Sequence, residues 1–264
     1  MEPVRNAERF SMFSSPRESE LKARPLEMSW KLWIYTNYDC NLSCTYCAAE
    51  STPRALRRAL PLETVRRLVD EAVTAGFQEI FFTGGEPMIL PEIYAMLRYS
   101  AERVRTTLLT NAMLVRGKRL ENLREVARHV PEDHLIVQVS LDGGRAEHHE
   151  AYRGPGSWAP AVAGIEALLD NGFQVRLGTT ETPANADYLD EICAFHESLG
   201  IPHEHHFVRP LARRGFSQEG LRVDKTNLAP ELTVNVDGVF WHPLSTDPDM
   251  QVSRSIFPLG EILD

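Results

Sequence analysis

Six short apolar runs of strand-like character alternate along this chain with amphipathic segments of helical period. The runs cover residues 30–36, 79–83, 106–110, 135–141, 174–180 and 205–208. The helical segments cover about 62–73, 91–103, 118–129, 157–171 and 186–199. Repetition of strand and helix favours a parallel sheet with helices packed outside it. The predicted fold is therefore α/β, a partial (βα)6 TIM-like barrel, because six units are too few for an eightfold barrel.

Three of the four cysteines lie together just after the first predicted strand. Cys40, Cys44 and Cys47 follow a C-x3-C-x2-C spacing in a polar, loop-like segment, and Cys193 is far away in the sequence. An iron–sulfur cube normally takes four cysteine ligands, so three thiolates leave one iron open to another ligand. From thiolate softness and spacing alone, an iron–sulfur site, a zinc site and unligated thiols all stay open.

A glycine-containing turn, Gly84-Gly85-Glu86-Pro87, follows the second predicted strand. Functional loops of α/β barrels gather at the carboxyl ends of the strands, so we expect this turn and the cysteine loop on the same rim. Adjacent glycines let the backbone approach a ligand closely, and Glu86-Pro87 then fixes the turn before the next helix.

Together, the cysteine spacing, the glycine turn and the strand order resemble the radical S-adenosylmethionine (radical SAM) superfamily. The resemblance covers about residues 29–208. It implies a 4Fe-4S cluster held by Cys40, Cys44 and Cys47, whose open iron binds S-adenosylmethionine (SAM). It also implies reductive cleavage of SAM to a 5′-deoxyadenosyl radical that abstracts hydrogen from a substrate. The electron would come from a flavodoxin- or ferredoxin-type reductant.

The same resemblance assigns expected SAM contacts to the loops that follow the strands. The turn of Gly84, Gly85, Glu86 and Pro87 would offer backbone carbonyls to the amino group of SAM. Further expected contacts are Asn111 in Thr110-Asn111-Ala112, Ser140 and Asp142 for the ribose, Arg153 for the carboxylate, Thr179 near the adenine, and Tyr46 beside it. A hydroxyl and a carboxylate two residues apart share one strand face and can satisfy two ribose hydroxyls.

Cys193 and three histidines are candidates for contact with the substrate. Some radical SAM enzymes use a remote cysteine to return a hydrogen atom, which makes Cys193 a candidate hydrogen donor. A free cysteine on an apolar helix face is more often part of the core. His203, His205 and His206 bracket the sixth predicted strand, and their spacing predicts side chains that point alternately into the barrel opening.

The last part of the chain has a different pattern. Residues 232–241 alternate in polarity and turn at Asp237-Gly238, which predicts a small C-terminal β-hairpin extension. It resembles the SPASM or Twitch extension, but Trp241-His242-Pro243 stands where that extension has a cluster-binding cysteine. The expected domains are a polar N-terminal arm at 1–28, the radical SAM partial barrel at 29–225, and a SPASM/Twitch-like remnant at 226–264. The hairpin is expected to act as a lid or wall over the barrel opening.

Charge and hydropathy limit the expected partners. The formal net charge is −9, the pI is near 5.5, and the sequence shows no long apolar span or signal-like N-terminus. These features argue against nucleic acid and membrane partners and favour a cytoplasmic protein. The preferred substrate is a small molecule, and modification of a ribosomally made peptide is the second candidate. A non-enzymatic alternative is an iron–sulfur electron carrier or a zinc-binding module.

Overall fold

A parallel sheet of six strands, in chain order, forms the centre of the computed structural model, which describes residues 29–225, 228–244 and 246–263. The strands are β1 (Ser29–Tyr35), β2 (Glu79–Thr83), β3 (Arg105–Thr110), β4 (Leu135–Ser140), β5 (Gln174–Glu181) and β6 (His206–Pro210). Each strand pairs in parallel with the next, and β6 does not pair with β1. The sheet is therefore open, which confirms the predicted partial barrel. The predicted N-terminal arm at 1–28 lies outside the described residues.

Helices connect these strands. They are α1 (Leu62–Ala75), α2 (Ile93–Ala101), α3 (Lys118–Ala127), α4 (Ala146–Arg153), α5 (Trp158–Asp170) and α6 (Leu189–Ser198), with α7 (Leu259–Leu263) near the end of the chain. In α1 the buried Val65, Leu68 and Ala72 recur at helical spacing. Gly76 ends this helix in the left-handed region (φ 90°), where its amide bonds back to the last turn. No helix in the described ranges is long and apolar enough to cross a membrane.

The hydrophobic pattern did not predict helix α4. Its sequence is polar, and its buried residues are His148, His149 and Arg153. Hydrophobic periodicity cannot reveal a helix whose buried face consists of such side chains. The helix places Arg153 at the rim of the sheet, and this matters for the site described below.

The two faces of the sheet have different chemistry. The outer face packs aliphatic and aromatic residues such as Leu32, Ile80 and Phe82 against the helices. Full burial of each such side chain contributes roughly 1.5–3 kcal/mol. On the concave face, Arg176 Nη1 of β5 lies 3.3 Å from Glu79 Oε1 of β2. Three strand spacings of about 4.8 Å would separate these strands in a flat sheet, so this contact shows how strongly the sheet curves.

The C-terminal hairpin is part of the same sheet. It consists of β7 (Glu231–Asn235) and β8 (Gly238–Phe240), followed by β9 (Gln251–Ser253). Strand β7 pairs in parallel with β1, so the sheet has nine strands in the order β6-β5-β4-β3-β2-β1-β7-β8-β9. Trp33 Nε1 donates to Glu231 Oε2 at 2.6 Å across this junction. The predicted hairpin is confirmed. It extends the sheet beyond β1, whereas the sequence analysis expected it to lie over the barrel opening as a lid or wall.

The segment that follows β8 returns to the free edge of the barrel. Tyr35, on the concave face of β1, donates its hydroxyl to the carbonyl of Pro243 at 2.6 Å. The charge of Arg209 on β6 contributes to lowering the pKa of His242, which places these two residues within electrostatic reach. This segment therefore lies near both β1 and β6, the two strands that a closed barrel would pair.

Gly164 of α5 is expected to be intolerant of a side chain. A Cβ at this position would overlap the carbonyl oxygen of Ala112, in the turn that follows β3. We expect Gly164→Ala to lower the free energy of unfolding by about 1–3 kcal/mol, as overpacking does elsewhere. Gly260→Ala is the matched control, because nothing lies within 4 Å of a Cβ there. Equal urea midpoints for the two variants would contradict the close packing of α5 on this turn.

Candidate active site

The cysteine loop leaves β1 and is held at its base by the glycine turn after β2. The amide of Gly85 donates to Asn37 O at 2.9 Å, and that of Glu86 donates to Asp39 O at 3.0 Å. A Cβ on Gly85 would overlap the backbone of Asp39. The glycine is therefore needed for close packing of this turn against the segment that leads into Cys40, a reason that the sequence alone did not provide.

The three thiols of the loop are half-buried, and backbone amides approach two of them. Leu42 N lies 3.4 Å from Cys40 Sγ, and Ser51 N lies 3.3 Å from Cys47 Sγ. Burial raises the pKa of Cys40 to about 12 and that of Cys44 to about 11, and nearby thiols add to both shifts. A metal that binds these sulfurs must therefore displace their protons, as coordination does for thiols in general.

This donor set fits an iron–sulfur cluster. Soft thiolates with amide hydrogen bonds to sulfur are the usual environment of such clusters. Within the described ranges, no three His, Cys, Asp or Glu side chains are arranged around a single metal ion. The cysteines of a cube bind different irons, so their sulfurs do not have to converge on one point.

The carboxylate of Asp142 is the most highly connected group near the loop. It is fully buried and lies just after β4. Its Oδ2 accepts from Arg153 Nε at 2.6 Å and from the Tyr46 hydroxyl at 2.5 Å. Its Oδ1 accepts from the Thr180 amide at 2.9 Å and lies 3.3 Å from Arg153 Nη2. Burial acts to raise the pKa of Asp142, but the Arg153 guanidinium and these hydrogen bonds hold it below its usual range.

These contacts fasten the cysteine loop to the opposite side of the rim. Tyr46 stands between Cys44 and Cys47, and Thr45 N donates to Tyr152 O of α4 at 2.9 Å. The sequence paired Asp142 with Ser140 for ribose binding and assigned Arg153 to the SAM carboxylate. In the structure Asp142 and Arg153 are bonded to each other, so those roles would require this pair to open. Ser140 is half-buried on the concave face, as the alternation of β4 predicts.

Glu86 and Asn111 connect the turns after β2 and β3. Glu86 is fully buried and accepts from Thr110 Oγ1 at 2.8 Å and Asn111 N at 2.9 Å. Burial raises the pKa of this carboxyl. Asn111 Nδ2 donates in turn to Asn41 Oδ1 of the cysteine loop at 2.8 Å. Pro87 begins a short 3-10 turn, Pro87–Ile89. The predicted residues of these two turns are thus brought together around the loop.

Thr179 is directed away from the concave face. Its hydroxyl donates to Leu141 O at 2.7 Å and lies 2.8 Å from His206 Nε2, in the layer behind the sheet. The neighbours that face the concave side are Gly178 and Thr180, since side chains alternate along a strand. The sequence could have shown this alternation, but the adenine contact was predicted at Thr179 without regard to the face of the strand on which it lies. A contact through the Thr179 side chain would require a different rotamer or register.

Cys193 lies in this same outer layer. Its Sγ is 3.6 Å from His206 Nδ1, and the His206 ring contacts the ring of His196 at 4.1 Å. His203 and His205 belong to a short 3-10 turn before β6. His206 therefore packs behind the sheet and does not point into the opening. The hydrogen-donor role of Cys193 stays a prediction, which its position between α6 and β6 disfavours.

Residues 34–195 match the family model described as the radical SAM superfamily, which spans the cysteine loop, the glycine turn and the Asp142 contacts. The chain belongs to the radical SAM superfamily. Enzymes of this superfamily use a 4Fe-4S cluster and SAM, and the three thiols of the loop fit the cluster.

The chain is also similar in sequence to named proteins. AdoMet-dependent heme synthase from Oleidesulfovibrio alaskensis is 32% identical over 67% of this chain and 44% of that protein. Mycofactocin maturase MftC from Mycolicibacterium smegmatis is 29% identical over 72% of this chain and 46% of that protein. This radical SAM chain thus spans less than half the length of either relative.

Crystal structures of Streptococcus suis SuiB have a similar fold. SuiB bound to S-adenosylmethionine gives a TM-score of 0.60 at 19% identity, covering 77% of this chain and 44% of SuiB. SuiB bound to precursor peptide SuiA gives 0.59 at 20% identity, covering 70% and 40%. At 19% and 20% sequence identity, the similarity to SuiB shows that the two proteins share a fold.

Asp142 provides a direct test of the rim network. Asp142→Asn keeps the shape of the side chain but leaves the buried Arg153 without its counter-ion, which costs about 3–5 kcal/mol. We expect a lower urea midpoint and less iron bound after reconstitution. Asp170→Asn, at an exposed position of α5, is the control and should change stability by no more than about 0.5 kcal/mol. If the two variants unfolded at the same urea concentration, the carboxylate would not hold this rim together.

Proposed function

We propose that this protein is a radical SAM enzyme that acts on a small-molecule substrate. Cys40, Cys44 and Cys47 would hold the 4Fe-4S cluster, and SAM would bind its remaining iron. When bound, the cluster and SAM supply a 5′-deoxyadenosyl radical that abstracts a hydrogen atom from the substrate. An external flavodoxin- or ferredoxin-type reductant would deliver the electron.

The residues of the chain have three tasks in this proposal. The cysteine loop must present its sulfurs as thiolates, which requires loss of the protons that burial favours on Cys40 and Cys44. The Asp142 network must keep the loop in place while the cofactors bind. The segment around Pro243, whose carbonyl accepts from Tyr35 on the concave face, would limit the access of water to a reactive radical at this edge.

The observation that carries the proposal is the anchoring of the cysteine loop. Tyr46, between two of the three cysteines, is hydrogen-bonded to a fully buried carboxylate on the far side of the rim. An unligated polar loop would have no need of such an anchor. A fixed loop that presents three soft ligands is what a site-differentiated cluster requires.

Cys44→Ala tests the enzyme against the non-enzymatic alternatives. After anaerobic reconstitution we expect about four irons and four sulfides per wild-type chain, and 5′-deoxyadenosine once dithionite and SAM are added. Cys44→Ala should lose most of the iron and all detectable 5′-deoxyadenosine, because one corner of the cube has lost its ligand. Cys193→Ser is the control for iron binding, since Cys193 lies behind the sheet. A wild-type protein that held the cube but never cleaved SAM would be an electron carrier, and one that held zinc without sulfide would be a zinc-binding module.

Modification of a ribosomally made peptide is the second candidate function. It is supported by the fold shared with SuiB, which has been crystallised with a precursor peptide. The relative named as a heme synthase supports a substrate that is not a peptide.

Transfer of deuterium from substrate to 5′-deoxyadenosine separates these two substrate classes. Extracts of cells grown in heavy water are divided into a low-molecular-mass fraction and a peptide fraction, and each is supplied to the reduced enzyme with unlabelled SAM. Our proposal predicts deuterium in 5′-deoxyadenosine only with the low-molecular-mass fraction, because the radical takes its hydrogen from the substrate. Labelling only by the peptide fraction would replace the small-molecule assignment with the peptide one.

A further inference from the structure

Three arginines of the barrel differ in their counter-ions. Arg153 is paired with Asp142, and Arg176 is paired with Glu79. Arg209 of β6 is exposed and contacts no carboxylate among the residues that the structure describes. The protein as a whole is acidic, with a formal net charge of −9, so acidic side chains to pair with are plentiful. Within the described ranges, the lack of a carboxylate beside Arg209 is therefore a local feature of the barrel.

The guanidinium of Arg209 lies over the inner surface of β5. A Cβ on Gly178 would lie 3.4 Å from Arg209 Nη2 and 3.3 Å from Gln138 Nε2. Gly178 faces the concave side, in the same alternation as Arg176. Nitrogen donors from β4 and β6 thus converge above the one inward position of β5 that has no side chain. A larger residue at this position would occupy the space between them.

Gln138 of β4 is a second polar group at this place. The residue is only 8% exposed, but its side-chain nitrogen and oxygen are not among the fully buried polar atoms that lack a partner in the described part of the chain. Its amide therefore opens onto the space above Gly178, which Arg209 Nη2 also approaches. A cation from β6 and an amide donor from β4 thus face the same space.

This space adjoins the cluster loop. Burial is the main cause that raises the pKa of Tyr35, and Cys47 and Arg209 both act on the same hydroxyl, so Tyr35 lies within electrostatic reach of each. Burial and the charge of Arg209 together lower the pKa of His242 to about 4. His242 is therefore neutral at pH 7, and Arg209 is the charged group that a ligand would meet here.

We propose that Arg209 and Gln138 bind a carboxylate group of the substrate on the concave face of the barrel. This inference rests on the proposed function, because it names the chemistry of the substrate on which that reaction acts. The guanidinium offers two parallel N–H donors to a carboxylate, and the Gln138 amide adds a third. One unpaired positive charge balances one carboxylate, whereas a phosphate dianion would keep half of its charge uncompensated.

A matched pair of probes tests this site without knowledge of the natural substrate. Phenylacetate and phenylacetamide have the same ring and differ in charge, and calorimetry measures their binding to reconstituted protein saturated with SAM. We expect phenylacetate to bind about tenfold more tightly, as a charge-assisted hydrogen bond to arginine allows. Arg209→Gln should abolish this preference and Arg209→Lys should retain part of it. Arg124→Gln, at an exposed position on α3, should leave the preference unchanged.

Four results would overturn the proposal. They are equal binding of the two probes to the wild-type protein, persistence of the preference in Arg209→Gln, tighter binding of phenyl phosphate than of phenylacetate, and a loss of about tenfold in SAM affinity in Arg209→Gln. The last result would assign Arg209 to the carboxylate of SAM itself. The binding measurement does not require cleavage of SAM. A protein that keeps the probe preference but yields no 5′-deoxyadenosine would therefore overturn the proposed function and not this site.

Discussion

The buried carboxylate of Asp142 is the contact on which the rest of the site depends. It joins the end of β4 to the cysteine loop through Tyr46, to α4 through Arg153, and to β5 through the Thr180 amide. Burial of a charged group costs several kcal/mol unless partners compensate it, and here each carboxylate oxygen has two donors. Because these donors come from three different segments, the conformation of a short polar loop is coupled to the folding of the whole barrel.

The opposite side of the loop is fixed by backbone packing and by hydrogen bonds to Glu86. The glycine turn after β2 packs directly on the backbone that leads into Cys40, and Glu86 connects this turn to Asn111 after β3. The loop is thus held from β2 and β3 on one side and from β4, α4 and β5 on the other. A site arranged in advance loses less conformational freedom when its cofactors bind, so more of their binding energy is retained. This explains why a radical SAM site can be built mostly from loops that a rigid sheet positions.

The sequence predicted those parts of the structure that depend on local pattern. Strand and helix periods identified the six parallel units, and the cysteine spacing identified the loop. Features that depend on distant neighbours were missed. Helix α4 buries charged and polar residues, so its period was hidden. The bond between Asp142 and Arg153 was also missed, because nothing in the sequence shows that these two residues contact each other, and their SAM contacts stay predictions. The hairpin was expected over the opening because the sequence does not reveal its parallel pairing with β1. That pairing joins segments nearly 200 residues apart. Arg209 looked like any other arginine until the structure showed no carboxylate beside it in the part of the chain that it describes.

The central claim is that three thiolates hold a cube whose fourth iron accepts SAM. Electron paramagnetic resonance of the anaerobically reconstituted, dithionite-reduced protein tests it most directly, with spectra recorded before and after the addition of SAM. The account predicts the signal of one reduced 4Fe-4S cluster per chain, and a change in its g values when SAM binds to the open iron. A cluster spectrum that SAM leaves unchanged, or a protein without any cluster signal, would contradict it.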